Sequence, residues 1–128
     1  MKFRLLYVMI AGVFLTTMSA VAHHSFTATY IEDKTITIEG RVAQFLFRNP
    51  HSFIHVDVKG EDGKMIRWAV EGAAGQQFSQ QGMSADSLRP GDHVVVTGSP
   101  GRNAADHRVR LKTIARPSDG WKWGGTVD

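Results

Sequence analysis

Gly72-Ala73-Ala74-Gly75-Gln76-Gln77-Phe78-Ser79-Gln80-Gln81-Gly82 is the stretch that decides the fold. It interrupts a chain that otherwise alternates between apolar and polar residues. Ala74, Phe78 and Met83 fall near helical spacing, and Gly82 supplies a stop. The stretch therefore reads as one short helix or irregular crossing between two sets of strands.

On its N-terminal side three strands are expected. The first begins at Thr35, with Ile36, Ile38 and Val42 on one face and Thr37, Glu39 and Arg41 on the other. Gly40 interrupts the alternation and Phe45 and Phe47 fall on the opposite parity, which predicts a bent or bulged long first strand. Asn49-Pro50 stops this strand. The second sets Ile54, Val56 and Val58 against His51, Phe53, His55 and Asp57. Gly60-Glu61-Asp62-Gly63 reads as a hairpin turn, and Lys64 to Glu71 as the third strand. On the C-terminal side, Pro90-Gly91 suits a type II turn. His93 to Thr97 is a fourth strand ended by Gly98, and His107 to Ala115 a fifth closed by Pro117. Trp121-Lys122-Trp123 lies in a tail, residues 117–128, without periodicity; the two indoles are expected to cover the barrel end.

Three strands, one helix-like crossing and two strands over residues 35–116 is the order of a five-stranded Greek-key barrel of the OB type. A small β-sandwich is the competing architecture. The fold class is all-β with one short helix, in a single domain.

Zero cysteine excludes disulfides, thiolate metal sites and cysteine nucleophiles, and leaves only nitrogen and oxygen ligands for a metal. The net charge of +3 includes Lys2 and Arg4. Those residues precede an apolar run, Leu5 to Leu15, that is too short for the ~20 residues of a membrane span. Ala20-Val21-Ala22 follows as a small-x-small cleavage box. Together these predict a signal peptide over residues 1–22 and a periplasmic or secreted protein beginning at His23, with no membrane span after processing. Residues 23–34 form a polar N-terminal segment.

Four stretches carry a resemblance. They are His23-His24-Ser25-Phe26 after the cleavage box, Asn49-Pro50-His51 before the Val-Asp-Val strand, Trp68-Ala69-Val70-Glu71, and Leu88-Arg89-Pro90-Gly91-Asp92. In this order they resemble a family of small exported bacterial proteins known as a domain of unknown function. The resemblance implies export and a small barrel, and no activity. His55 departs from it, since an aromatic such as tyrosine is expected there.

Cleavage after Ala22 would give His23 a free α-amine beside its imidazole, a pair that closes a chelate ring on one metal. A third nitrogen from His24 or His51 would complete a planar site suited to Cu(II). His51 equally suits a turn-capping role. His51 and His55 share a strand face ~13 Å apart, too far to ligate one ion together. His93 and His107 read as surface residues. Phe53, His55, Arg67 and Glu71 form a ligand-binding face of the kind OB barrels use. Arg108, Arg110 and Lys112 alternate on the fifth strand and read as a solvated, edge-blunting face. An exported location argues against nucleic acid as a partner.

No nucleophile-base pair, phosphate-cradling glycine loop or His-Glu-x-x-His motif is present, and Asp57 with Glu71 is the one candidate carboxylate pair. The leading expectation is a non-catalytic exported binding module with a Cu(II) site at His23, His24 and His51. The alternatives are an adaptor binding an envelope protein, a glycan or an oligonucleotide, and a copper-dependent redox enzyme.

Overall fold

A computed structural model describes residues 26–124. Six strands form one sheet: β1 (Ile36–Leu46), β2 (Phe53–Lys59), β3 (Met65–Glu71), β4 (His93–Pro100), β5 (Arg108–Arg116) and β6 (Trp121–Gly124). A short helix, α1 (Gly75–Gln80), lies between β3 and β4. Antiparallel pairing runs β3-β2-β1-β4-β5-β6, and a parallel pairing of β3 with β5 closes the first five strands into a barrel. This five-stranded closed barrel with its helix between the third and fourth strands is the OB architecture; the sandwich alternative is excluded by the β3–β5 pairing.

The alternation read from the sequence becomes the core. Ile38, Val42, Ile54, Val56, Val70, Val94, Val96, Val109 and Ile114 point inward, and Phe78, Met83 and Leu88 from the crossing plug the barrel end. Burying each such side chain contributes about 1.5–3 kcal/mol relative to exposure. Phe78 comes from α1 and meets Trp123 edge-on at 4.9 Å. The turn at Arg89–Asp92 forms as expected: the Asp92 amide donates to the Arg89 carbonyl at 3.1 Å, and Gly91 has φ 92°.

Four details differ from the sequence reading. The parity switch in β1 comes from the expected bulge, a register shift that lies between Val42 and Gln44 rather than at the Gly40 interruption. Gly40 is instead a point of close approach, where an added Cβ would lie 2.2 Å from the Asp57 carbonyl oxygen. Gly98 does not end β4. It sits inside the strand at a second register shift, where a Cβ would meet the Arg110 carbonyl oxygen at 2.1 Å. The tail supplies a strand, β6, which pairs Ile114 with Trp123 and Arg116 with Trp121. Its turn was signalled by Pro117-Ser118-Asp119-Gly120, with Gly120 at φ 73°.

The polar segment before β1 is also structured. Residues 26–29 form one helical turn, and Tyr30 bridges to Gly101. The Ile31 amide donates to the Pro100 carbonyl at 2.9 Å, and the Arg102 amide to the Thr29 carbonyl at 2.9 Å. Residues 26–35 thus lie as a strap along the end of β4 and the face of β5.

Gly40→Ala should lower stability by about 1–3 kcal/mol, since backbone rather than a pliable side chain occupies the space a methyl needs. A urea midpoint unchanged from wild type would contradict that close approach.

Candidate functional site

The cleft that carries the chemistry lies where β5 changes neighbours. β3 pairs with β5 only over Ala69–Glu71 and Arg108–Arg110. β6 takes up the same edge of β5 from Thr113 onward. Between these two pairings no described strand lies beside Leu111 and Lys112 on that edge. A cleft of about 310 Å³ opens there, bordered by Glu71, Gly72, Ala73, Arg110, Leu111 and Trp123. His51, Phe26 and Gln77 stand around it.

Glu71 is the centre of this region. It ends β3 and is only 8% exposed. The Tyr30 hydroxyl donates to Glu71 Oε2 in a short hydrogen bond. Arg108 Nη2 reaches the same oxygen at 3.4 Å. His51 Nδ1 lies 2.7 Å from Oε1. Tyr30 is fully buried, and its phenol is pushed well above its ordinary value of 10.0. Burial is the main cause; the hydrogen bond to Glu71 and the carboxylate's charge add to it, and Arg108 opposes. The Arg108 guanidinium also lies 5.8 Å from the centre of the Tyr30 ring.

Local sequence explains why His51 is held there. The Asn49–Pro50 peptide bond is cis. Ser52, fully buried, donates its hydroxyl to the Arg48 carbonyl at 3.1 Å. The Ser52 amide donates to Ala73, and the Gly72 amide returns to Ser52 at 2.8 Å. The His51 imidazole is stacked on Phe26 at 5.1 Å, and Phe26 lies 3.9 Å beneath the Arg110 guanidinium. The turn-capping role considered for His51 is therefore replaced by a side-chain role.

The β5 cations were expected to be solvated; instead they hold the strap. Arg110 pairs with Glu32. Lys112 donates to the Thr35 hydroxyl at 2.8 Å and to the Lys34 carbonyl at 3.1 Å. The signal for this was charge complementarity between Glu32 and the β5 stripe, which sequence spacing alone does not link.

The expected ligand-binding face is split. Phe53, His55 and Asp57 share a face of β2, in register with Glu71, Ala69 and Arg67 of β3. Glu71 does not lie open there, because the strap and Arg108 cover it. Arg67 is committed to Asp57 by a bidentate pair at 2.8 and 3.0 Å, which lowers the Asp57 pKa. Asp57 and Glu71 are thus not a carboxylate pair. Phe53 carries Arg48 at 5.4 Å from its ring centre. His93 lies 2.7 Å from Glu39, and His107 meets Trp68 edge-on at 5.2 Å. Among the described residues no group of three His, Asp or Glu side chains is placed to hold a metal. His23 and His24 lie outside the described residues, as does the segment read as a signal peptide.

Barrel closure, the single crossing helix and an edge cleft define a small OB-type module. The chain belongs to the family of unknown function DUF6152, whose model matches residues 12–110. No curated protein matches it. Among solved structures it is similar to the mitochondrial single-stranded DNA-binding protein of S. cerevisiae, with a TM-score of 0.47 and 17% identity. That similarity covers 63% of this chain and 90% of the other.

Tyr30 gives a pH test of the buried cluster. A phenol whose folded pKa is raised contributes stability that is complete below pH ~10 and lost as pH rises further. Unfolding midpoints should therefore fall above pH ~10 in the wild type and fall less in Tyr30→Phe. At neutral pH, Tyr30→Phe should cost about 1–3 kcal/mol, because Glu71 loses a donor. Parallel pH profiles for the two proteins would remove Tyr30 from the cluster.

Proposed function

We propose that this chain is an exported binding module that holds Cu(II) between His51 and the processed N-terminus at His23. The supporting observation is the setting of His51. With the Nδ1 proton donated to Glu71 Oε1 at 2.7 Å, the imidazole keeps its Nε2 lone pair for a metal. A buried carboxylate behind a histidine is the usual device for fixing the ligand tautomer and raising its basicity.

Phe26 supports the same reading. Its ring stacks on His51, and two peptide units join it to His24. At ~3.6 Å per residue, covalent reach holds the His24 Cα within about 7 Å of the Phe26 Cα. Cleavage after Ala22 would add the His23 α-amine and imidazole as further nitrogen ligands. Three or four nitrogens without sulfur favour Cu(II) over other divalent ions by the general affinity order. The module binds metal for handling in the cell envelope rather than for turnover.

Mass spectrometry of exported protein should show a chain beginning at His23. Titration with Cu(II) against a competing chelator should then give one equivalent. His23→Ala and His51→Ala should each weaken binding at least tenfold (about 1.4 kcal/mol). A start at Ser25, or an affinity indifferent to both substitutions, rejects the copper site. Sustained oxygen consumption by the copper form with a reductant would instead indicate a redox enzyme. A second reading rests on Phe53, half-buried beside His55 and capped by Arg48. If copper affinity ignores the histidines, capture of an envelope protein or glycan on that face is favoured, and Phe53→Ala should abolish it.

A further inference from the structure

The cleft beside His51 is much larger than a metal ion requires. At about 310 Å³ it falls at the lower end of small-molecule sites, which run ~300–1,000 Å³. Its lining is mixed: Phe26, Leu111, Trp123 and, along the floor, the small residues Ala73 and Ala74 are apolar, and His51, Glu71, Gln77 and Arg110 are polar. Gly72 completes the floor under constraint, because a Cβ there would lie 2.6 Å from the Phe78 ring.

Among the polar groups around the slot, Arg110 and the Gln77 amide supply donors. Arg110 uses Nη1 for Glu32 and its flat face for Phe26, and remains more than a third exposed. A guanidinium fork offers five N–H groups, so donors remain on the cleft side. Gln77 projects from α1 at the rim and is exposed. The acid in the wall, Glu71, is already occupied: Oε1 meets His51, and Oε2 meets Tyr30 and Arg108. An anion placed against Arg110 therefore faces a carboxylate that is internally neutralised.

We propose that this cleft binds a small planar monocarboxylate, with its carboxylate on Arg110 and Gln77 and its flat body between Trp123 and Leu111. Inorganic phosphate would meet the donors and leave the apolar walls unfilled. A neutral ring would fill the walls and leave the remaining N–H donors of Arg110, whose Nη1 is already paired with Glu32, without a further acceptor. The site uses only described residues and needs no metal, so it stands apart from the copper reading.

The test uses isotope-labelled protein stripped of metal with a chelator, and three probes: benzoate, benzyl alcohol and inorganic phosphate. Benzoate should shift the Gln77 side-chain amide and the Trp123 indole resonances saturably. Benzyl alcohol and phosphate should bind at least tenfold more weakly. Ala74→Leu should abolish the benzoate shifts by filling the slot while leaving the strap contacts untouched; Lys59→Gln, far along β2, should change nothing. Arg110→Gln should weaken benzoate but not benzyl alcohol, a difference that loosening of the strap would not produce. Equal affinity for benzoate and benzyl alcohol would reject carboxylate recognition. Equal affinity for benzoate and phosphate would reject the slot. No saturable shift with benzoate would overturn the proposal. Because no metal is present, such failures leave the copper site as it was.

Discussion

One buried carboxylate organises this barrel. An unpaired Glu71 in the wall would be strongly unfavourable in so dry a setting. Its partners come from three distant parts of the chain: Tyr30 in the strap, His51 after β1, and Arg108 at the start of β5. None of the three is near Glu71 in sequence, so the carboxylate is satisfied only when all three segments are in place. Buried ion pairs of this kind add little net stability against an apolar alternative, yet breaking one partner away is costly. Their effect here is to exclude arrangements in which the strap or the closing strand is displaced.

The same residues perform the closure. Glu71 and Arg110 are register partners in the parallel β3–β5 pairing, and Arg108 stands opposite Ala69. That pairing is short, and parallel ladders are slightly weaker per residue than antiparallel ones. The polar cluster reinforces it from outside the barrel, where Arg108, Arg110 and Lys112 also grip the strap. A stripe that blunts an edge in many sheets is here covered by the chain's own N-terminal segment.

The alternating strands were legible because one face of each is buried, which imposes period two on β1, β2, β3 and β4. The crossing was legible for the same reason, since Phe78 must reach the core from a single helical turn. What escaped were features fixed by long-range contact. Gly98 read as a terminator because a strand glycine usually weakens or ends a ladder, whereas here it admits the Arg110 carbonyl oxygen. β6 escaped because four residues carry too little periodicity. Glu71 read as part of an open ligand-binding face because nothing local distinguishes it from Glu39, which is exposed. His51 stood out in the sequence by its place after Asn49-Pro50, but its partners Glu71 and Phe26 were not visible.

The location of the cleft follows from how the barrel closes. β3 must stop at Glu71, because the chain turns there into the Gly72–Ala74 floor and α1. The described part of β6 ends at Gly124, opposite Thr113 and close against the Lys112 backbone, where an added Cβ would sit 2.3 Å from its carbonyl oxygen. Among the described residues, Leu111 and Lys112 are therefore left between two pairings. A barrel completed by one long fifth-strand pairing would bury this edge and have no opening. Here the handover from β3 to β6 leaves a gap beside the polar cluster that holds His51. The buried acid Glu71 and the cleft beside it are thus consequences of the same short closure.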